Sequence, residues 1–221
     1  MKTLIVNFKN YPEVLGEGAV RLALAIERGT RAGGVEAIAA PPIPMLSLVS
    51  SKTKVALYSQ SVGDQAGDKT TGAVLPEAVK AAGASGTILN HSESRRDPAE
   101  LARLVPRVLG MGMGVCICSQ TEEEAARLAR LGPTFLAIEP PELIGSGVAV
   151  SRERPELIQK TVSAVRSAGF RGKILCGAGI VSGEDVARAV ELGVDGVLVA
   201  SSVVKAKDWE SKVKELANSL M

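Results

Sequence analysis

The sequence holds one histidine and three cysteines, and its 26 basic and 24 acidic residues are scattered, with no long basic run or polar tail. Each scarcity removes a class of function. A lone histidine, His91, is too few for the histidine-rich sets that hold a catalytic metal, so neither metal nor cofactor is expected. A net charge of +2 without a basic stretch offers nothing to nucleic acid or to an anionic membrane surface. A small anionic ligand needs only a local site and stays open. Cys116, Cys118 and Cys176 are odd in number and contain no C-x-x-C pair. On a strand Cys116 and Cys118 point to the same face, a spacing poor for a disulfide, so reduced and buried thiols are expected. No apolar run is long enough to span a bilayer. The opening stretch from Met1 reaches Lys9 too early for a secretory leader. A soluble, cytoplasmic protein is the expectation.

What is present is an alternation of short apolar runs and longer helical stretches in a chain that is 46% hydrophobic. The expected strands are Leu4–Phe8, Val35–Ala40, Val55–Ser59, Thr87–Asn90, Gly114–Cys118, Phe135–Ile138, Lys173–Cys176 and Gly196–Val199. Most are nearly continuous in Val, Ile, Leu, Ala and Cys, as strands of a parallel sheet read when both faces are covered. Helices are expected over Val14–Arg31, Glu77–Ala82, Ala99–Leu109, Ala125–Leu131, Glu156–Ala168, Gly183–Leu192 and Trp209–Leu220. Pro76, Pro98 and Pro155 suit helix starts. Thr121 with Glu124 resembles a capping box, and Ser182 is a candidate N-cap. Gly132, Gly169 and Gly193 sit where helix C-caps belong. Eight strands alternating with helices and no evident linker favour an α/β architecture of one domain, residues 1–221, closed as a (β/α)8 barrel. A doubly wound open sheet is the competitor, because strand order is not written in the sequence.

The polar residues fall at strand ends. Asn7 and Lys9 close the first strand, Asn90 and His91 the fourth and Glu139 the sixth, while Gly177-Ala178-Gly179 follows the seventh. In a parallel barrel all of these meet at one mouth. Taken alone, each has a bland reading: a solvated lysine, a structural histidine, a loop carboxylate. Their common location raises their standing as a set.

Their order resembles the triosephosphate isomerase family. The resemblance is carried by Asn7-Phe8-Lys9, by Asn90-His91-Ser92-Glu93, and by Ala137-Ile138-Glu139-Pro140-Pro141 running to Ile144-Gly145-Ser146-Gly147. Cys176-Gly177-Ala178-Gly179-Ile180 and Gly196 to Ser202 look like that family's two phosphate-binding turns. The match spans the whole chain, and its short length is similar to the compact archaeal-type members, which assemble as tetramers. The resemblance implies interconversion of dihydroxyacetone phosphate and glyceraldehyde 3-phosphate in glycolysis and gluconeogenesis, on a small-molecule triose phosphate, by a homotetramer. It implies Glu139 as the base that moves a proton between adjacent carbons, and His91 as a neutral electrophile beside a helix start. Lys9 is the implied cation beside the enediolate, and Asn7 a hydrogen-bond donor orienting Lys9. Glu93 is the implied carboxylate partner behind the site. For the phosphate it implies Ile144 and Gly145 on a lid over Pro140–Gly147, with Gly179, Ser182, Ala200 and Ser201 on the two turns.

The match has departures. Ser94 intervenes before Arg95-Arg96, so neither arginine inherits a role, and Ala200-Ser201-Ser202 stands where glycine pairs are usual. Pro141 and Glu142 replace an apolar and aromatic pair at the lid hinge. The rivals are an aldolase, which needs a Schiff-base lysine inside a strand, a metal-dependent epimerase, which needs more histidines, and a catalytically silent phosphate-binding barrel. The set Glu139, His91 and Lys9 favours isomerisation over all three.

Overall fold

The computed structural model describes residues 1–140 and 153–221. Its strands are β1 (Lys2–Asn7), β2 (Val35–Ala40), β3 (Ala56–Ser59), β4 (Gly86–Leu89), β5 (Gly114–Ser119), β6 (Phe135–Ile138), β7 (Lys173–Cys176) and β8 (Gly196–Val199). All neighbours pair in parallel in sequence order, and β8 returns to β1 with Thr3 opposite Gly196 and Val6 opposite Val199. The sheet is therefore a closed barrel, and the open doubly wound alternative is excluded. Strand ends differ from expectation by one or two residues, because ladder hydrogen bonds and apolar runs need not stop together.

Both faces of each strand are buried, which is why the runs read as continuous. Leu4 and Val6 belong to the layer between sheet and helices. Ile5, Ile38, Ile88, Cys116, Cys118, Ala137, Leu175 and Leu198 fill the barrel interior. Tyr58 and Phe135 close the interior with ring centroids 6.0 Å apart in an edge contact. A Cβ at Gly86 would lie 2.3 Å from the Tyr58 ring, and one at Gly114 would lie 1.9 Å from its hydroxyl. Glycine at both positions is what admits the tyrosine.

Helices cover the outside: α1 (Glu17–Gly29), α2 (Leu46–Ser50), α3 (Pro76–Ala81), α4 (Pro98–Gly110), α5 (Glu122–Ala129), α6 (Pro155–Ser167), α7 (Gly183–Glu191), α8 (Ser201–Val204) and α9 (Trp209–Asn218). The single helix expected from Val14 is divided. A 3-10 turn over Pro12–Val14 precedes Gly16, whose φ of 55° breaks the helix before α1 begins. The lean connection between β2 and β3 contains the short α2, which has too few residues to show a 3.6-residue period. The C-cap expectations hold: Gly132, Gly169 and Gly193 have φ of 67°, 85° and 98°.

Candidate active site

The C-terminal ends of β1, β4 and β6 bring Asn7, Lys9, His91 and Glu139 to one cleft, also lined by Gly177, Gly179, Ala200 and Ser201. Lys9 has a left-handed backbone, φ 48°, which costs a non-glycine residue energy unless its surroundings hold it. Two side chains do so. Asn7 Oδ1 accepts the Lys9 backbone N–H at 2.9 Å, and Gln60 Nε2 donates to the Lys9 carbonyl at 2.8 Å. Asn7 thus holds Lys9 through its side-chain oxygen, which leaves the amide nitrogen to donate. Lys9 Nζ forms an ion pair with Glu93 Oε1 at 2.7 Å.

His91 is buried, and its Nδ1 accepts the backbone N–H of Glu93 at 3.1 Å. A ring nitrogen that accepts is unprotonated, so the neutral tautomer carries its hydrogen on Nε2. Burial and then the Lys9 charge hold the imidazole pKa below its ordinary value, against an opposing effect of Glu93. The donor amide belongs to a turn at Ser92 and Glu93 and not to a helix, since α4 starts only at Pro98.

Glu139 is 1% exposed, and its Oε1 lies 3.5 Å from His91 Nε2. Its Oε2 has no hydrogen-bond partner among the described residues. Burial pushes its pKa up to about 7; the Cys118 thiol, the Lys9 charge and the Ser92 amide act in the other direction without offsetting it. Its backbone is fixed by Glu139 N–H to the Ser119 carbonyl at 2.8 Å. Gly177 on the next strand leaves room for it: a Cβ there would stand 2.7 Å from Glu139 Cγ.

The remaining expected residues divide. Gly179, Ala200 and Ser201 line the cleft. Ser182 donates its N–H to Asp185 Oδ2 at 2.9 Å, and its Oγ accepts the Asp185 N–H at 3.4 Å, which completes a capping box at the start of α7. Ile144, Gly145 and all but Pro140 of the expected lid lie outside the described residues. Tyr11 also lines the cleft, and neither it nor Gln60 carries a sequence signal beyond proximity to strand ends. Cys118 had one, its place at the end of β5, which was set aside for a structural thiol.

The fold and the composition of this mouth define a class, the (β/α)8-barrel isomerases that move a proton on a small phosphorylated carbonyl compound. Residues 2–216 match the family model described as triosephosphate isomerase. The chain is similar to the triosephosphate isomerases of three archaea. That of Caldivirga maquilingensis is 44% identical over 99% of this chain and 97% of that protein. That of Methanothermus fervidus is 42% identical over 98% of each. That of Cenarchaeum symbiosum is 45% identical over 98% of this chain and 97% of its own. The chain belongs to the triosephosphate isomerase family, whose members interconvert dihydroxyacetone phosphate and glyceraldehyde 3-phosphate.

Proposed function

We propose that Glu139 is the base of this isomerisation, His91 its electrophile and Lys9 its fixed cation. The observation that carries the reading is the facing pair, a buried carboxylate with a pKa near 7 and Oε1 3.5 Å from the Nε2 of a neutral imidazole. A substrate seated over this pair has its carbon hydrogen toward the carboxylate and its carbonyl oxygen toward Nε2–H. Glu139 takes the proton from one carbon, the bonding pair forms the enediolate double bond, and the carbonyl pair moves onto oxygen. His91 supplies a proton to that oxygen and takes one from its neighbour. Glu139 then returns its proton to the adjacent carbon, and no atom is gained or lost. A base poised near neutral pH suits both halves of the transfer. Lys9 stabilises the negative charge that develops on oxygen, and a charge held in place needs no reorganisation as the reaction proceeds.

Gly179, Ala200 and Ser201 form the cradle for the phosphate. The first amides of α8 have no intrahelical acceptor and are suited to an anion. Ile144 and Gly145 are proposed to complete the cradle, and Ser182 fixes the start of α7 beside it. We propose further that residues 1–221 act as one domain, in the cytoplasm, as a homotetramer. Among the described residues no helix is long and apolar enough to cross a membrane.

Replacing Glu139 with glutamine keeps its shape and removes its basicity. Turnover is expected to fall by at least about 10²-fold, the lower end of what a positioned base contributes. Binding of a phosphorylated substrate analogue should persist. Near-parental turnover in Glu139→Gln places the base elsewhere.

A further inference from the structure

Asn90 stands between the last residue of β4 and His91, with φ at 61°. Its side chain is engaged on every side. Nδ2 donates to the Cys118 carbonyl at 2.8 Å and to Glu124 Oε1 at 3.3 Å, while Oδ1 accepts the Arg96 backbone N–H at 3.1 Å. The Asn90 carbonyl accepts Arg95 Nη1 at 3.2 Å, and Arg95 Nη2 donates in turn to Glu124 Oε1. Glu124 is itself anchored: its Oε2 accepts the Gln120 N–H at 2.8 Å. The sequence pattern around Thr121 and Glu124 suggests a helix cap closed in both directions. Only half of it forms, because Thr121 Oγ1 accepts the Glu124 N–H at 3.2 Å while the carboxylate turns toward Asn90 and Arg95.

We propose that Glu124, acting through Asn90 and Arg95, is a positioning residue for His91. The inference rests on His91 being the electrophile. Geometry carries it. A left-handed asparagine is free to relax by rotating its backbone, and such a rotation carries the attached imidazole with it. Four hydrogen bonds, to β5, to the first turn of α5 and to the segment before α4, hold the residue that precedes His91. They fix Nε2 opposite the Glu139 carboxylate. Glu124 ties these together from an element that contributes no group to the reaction.

The chain has one histidine, so the imidazole ¹⁵N resonances report on His91 alone. The test compares Glu124→Ala, Glu124→Gln, Asn90→Gly and, as a control on the electrophile, His91→Gln. Glycine accepts the backbone angle and removes only the side-chain bonds. Glu124→Ala and Asn90→Gly are expected to lower kcat by about tenfold to a hundredfold, the scale of a sub-ångström to 1 Å misplacement, with KM near parental. Their imidazole resonances should shift from the parental Nε2–H pattern toward an average of the two tautomers. Glu124→Gln keeps one acceptor and should recover part of the loss. Parental kcat and unmoved imidazole resonances in folded Glu124→Ala and Asn90→Gly overturn the clamp, provided His91→Gln is impaired. Parental activity in His91→Gln overturns the electrophile itself.

Discussion

At the scale of the residue, burial makes Glu139 useful and also costly. Between pH 4.5 and about 7 the folded protein retains a proton that the unfolded chain has released. Stability is therefore lost as pH rises through that window and is level above it. Glutamine has no such dependence. Glu139→Gln should gain up to about 3 kcal/mol over the parent at pH 8 and nothing at pH 4, the shift from 4.5 to about 7 taken at 1.36 kcal/mol per pH unit. Urea unfolding at the two pH values measures this, and an equal difference at both would contradict a raised carboxylate. The same proton sets activity: kcat/KM should fall below about pH 7 as Glu139 becomes protonated. Because a substrate phosphate also titrates near pH 6, a ¹³C titration of the Glu139 carboxyl, assigned by its loss in Glu139→Gln, separates the two. A midpoint near the ordinary value of 4.5 would remove the basis for the poised base.

At the scale of the element, the capping box at α7 separates two roles for Ser182. Its hydroxyl and N–H both meet Asp185, so Ser182→Ala should cost about 1 kcal/mol of unfolding free energy, as cap removals do, and leave KM close to parental. A large rise in KM without a stability loss would return the hydroxyl to the phosphate. Elements were the most legible part of the sequence. The apolar runs of β2, β6, β7 and β8 coincide with their strands because both faces are buried. The polar residues that line the cleft were legible for a related reason, since a polar residue that closes such a run stands out against it. Less legible were features set by a partner distant in sequence. Gln60 reaches the Lys9 carbonyl across 51 residues, and Asn90 reaches Glu124 across 34. No local pattern encodes those pairings. The bond from the Lys9 N–H to Asn7 Oδ1 goes with the left-handed Lys9 backbone, an angle that the residue type does not announce.

At the scale of the whole molecule, closure of β8 onto β1 makes Lys9, His91 and Glu139 neighbours, although they are far apart in sequence. The segment from Gly63 to Gly72, which follows β3, is anchored at its start on its own chain. Arg103 pairs with Asp64 at 2.6 Å and Arg107 donates to the Gln65 carbonyl at 2.7 Å. A segment fixed at its base can still project its tip. Light scattering should give four times the chain mass, and monomer mass across a wide concentration range would contradict the tetramer. The central claim is that one carboxylate at this mouth moves the carbon-bound proton. Its most direct test is dihydroxyacetone phosphate turned over in D₂O, with hydrogen exchange at the reacting carbon followed by NMR. The parent should place deuterium at C2 of the glyceraldehyde 3-phosphate it forms, and Glu139→Gln should exchange at least about 10²-fold more slowly. Exchange at the parental rate in that variant would show that another group removes the proton.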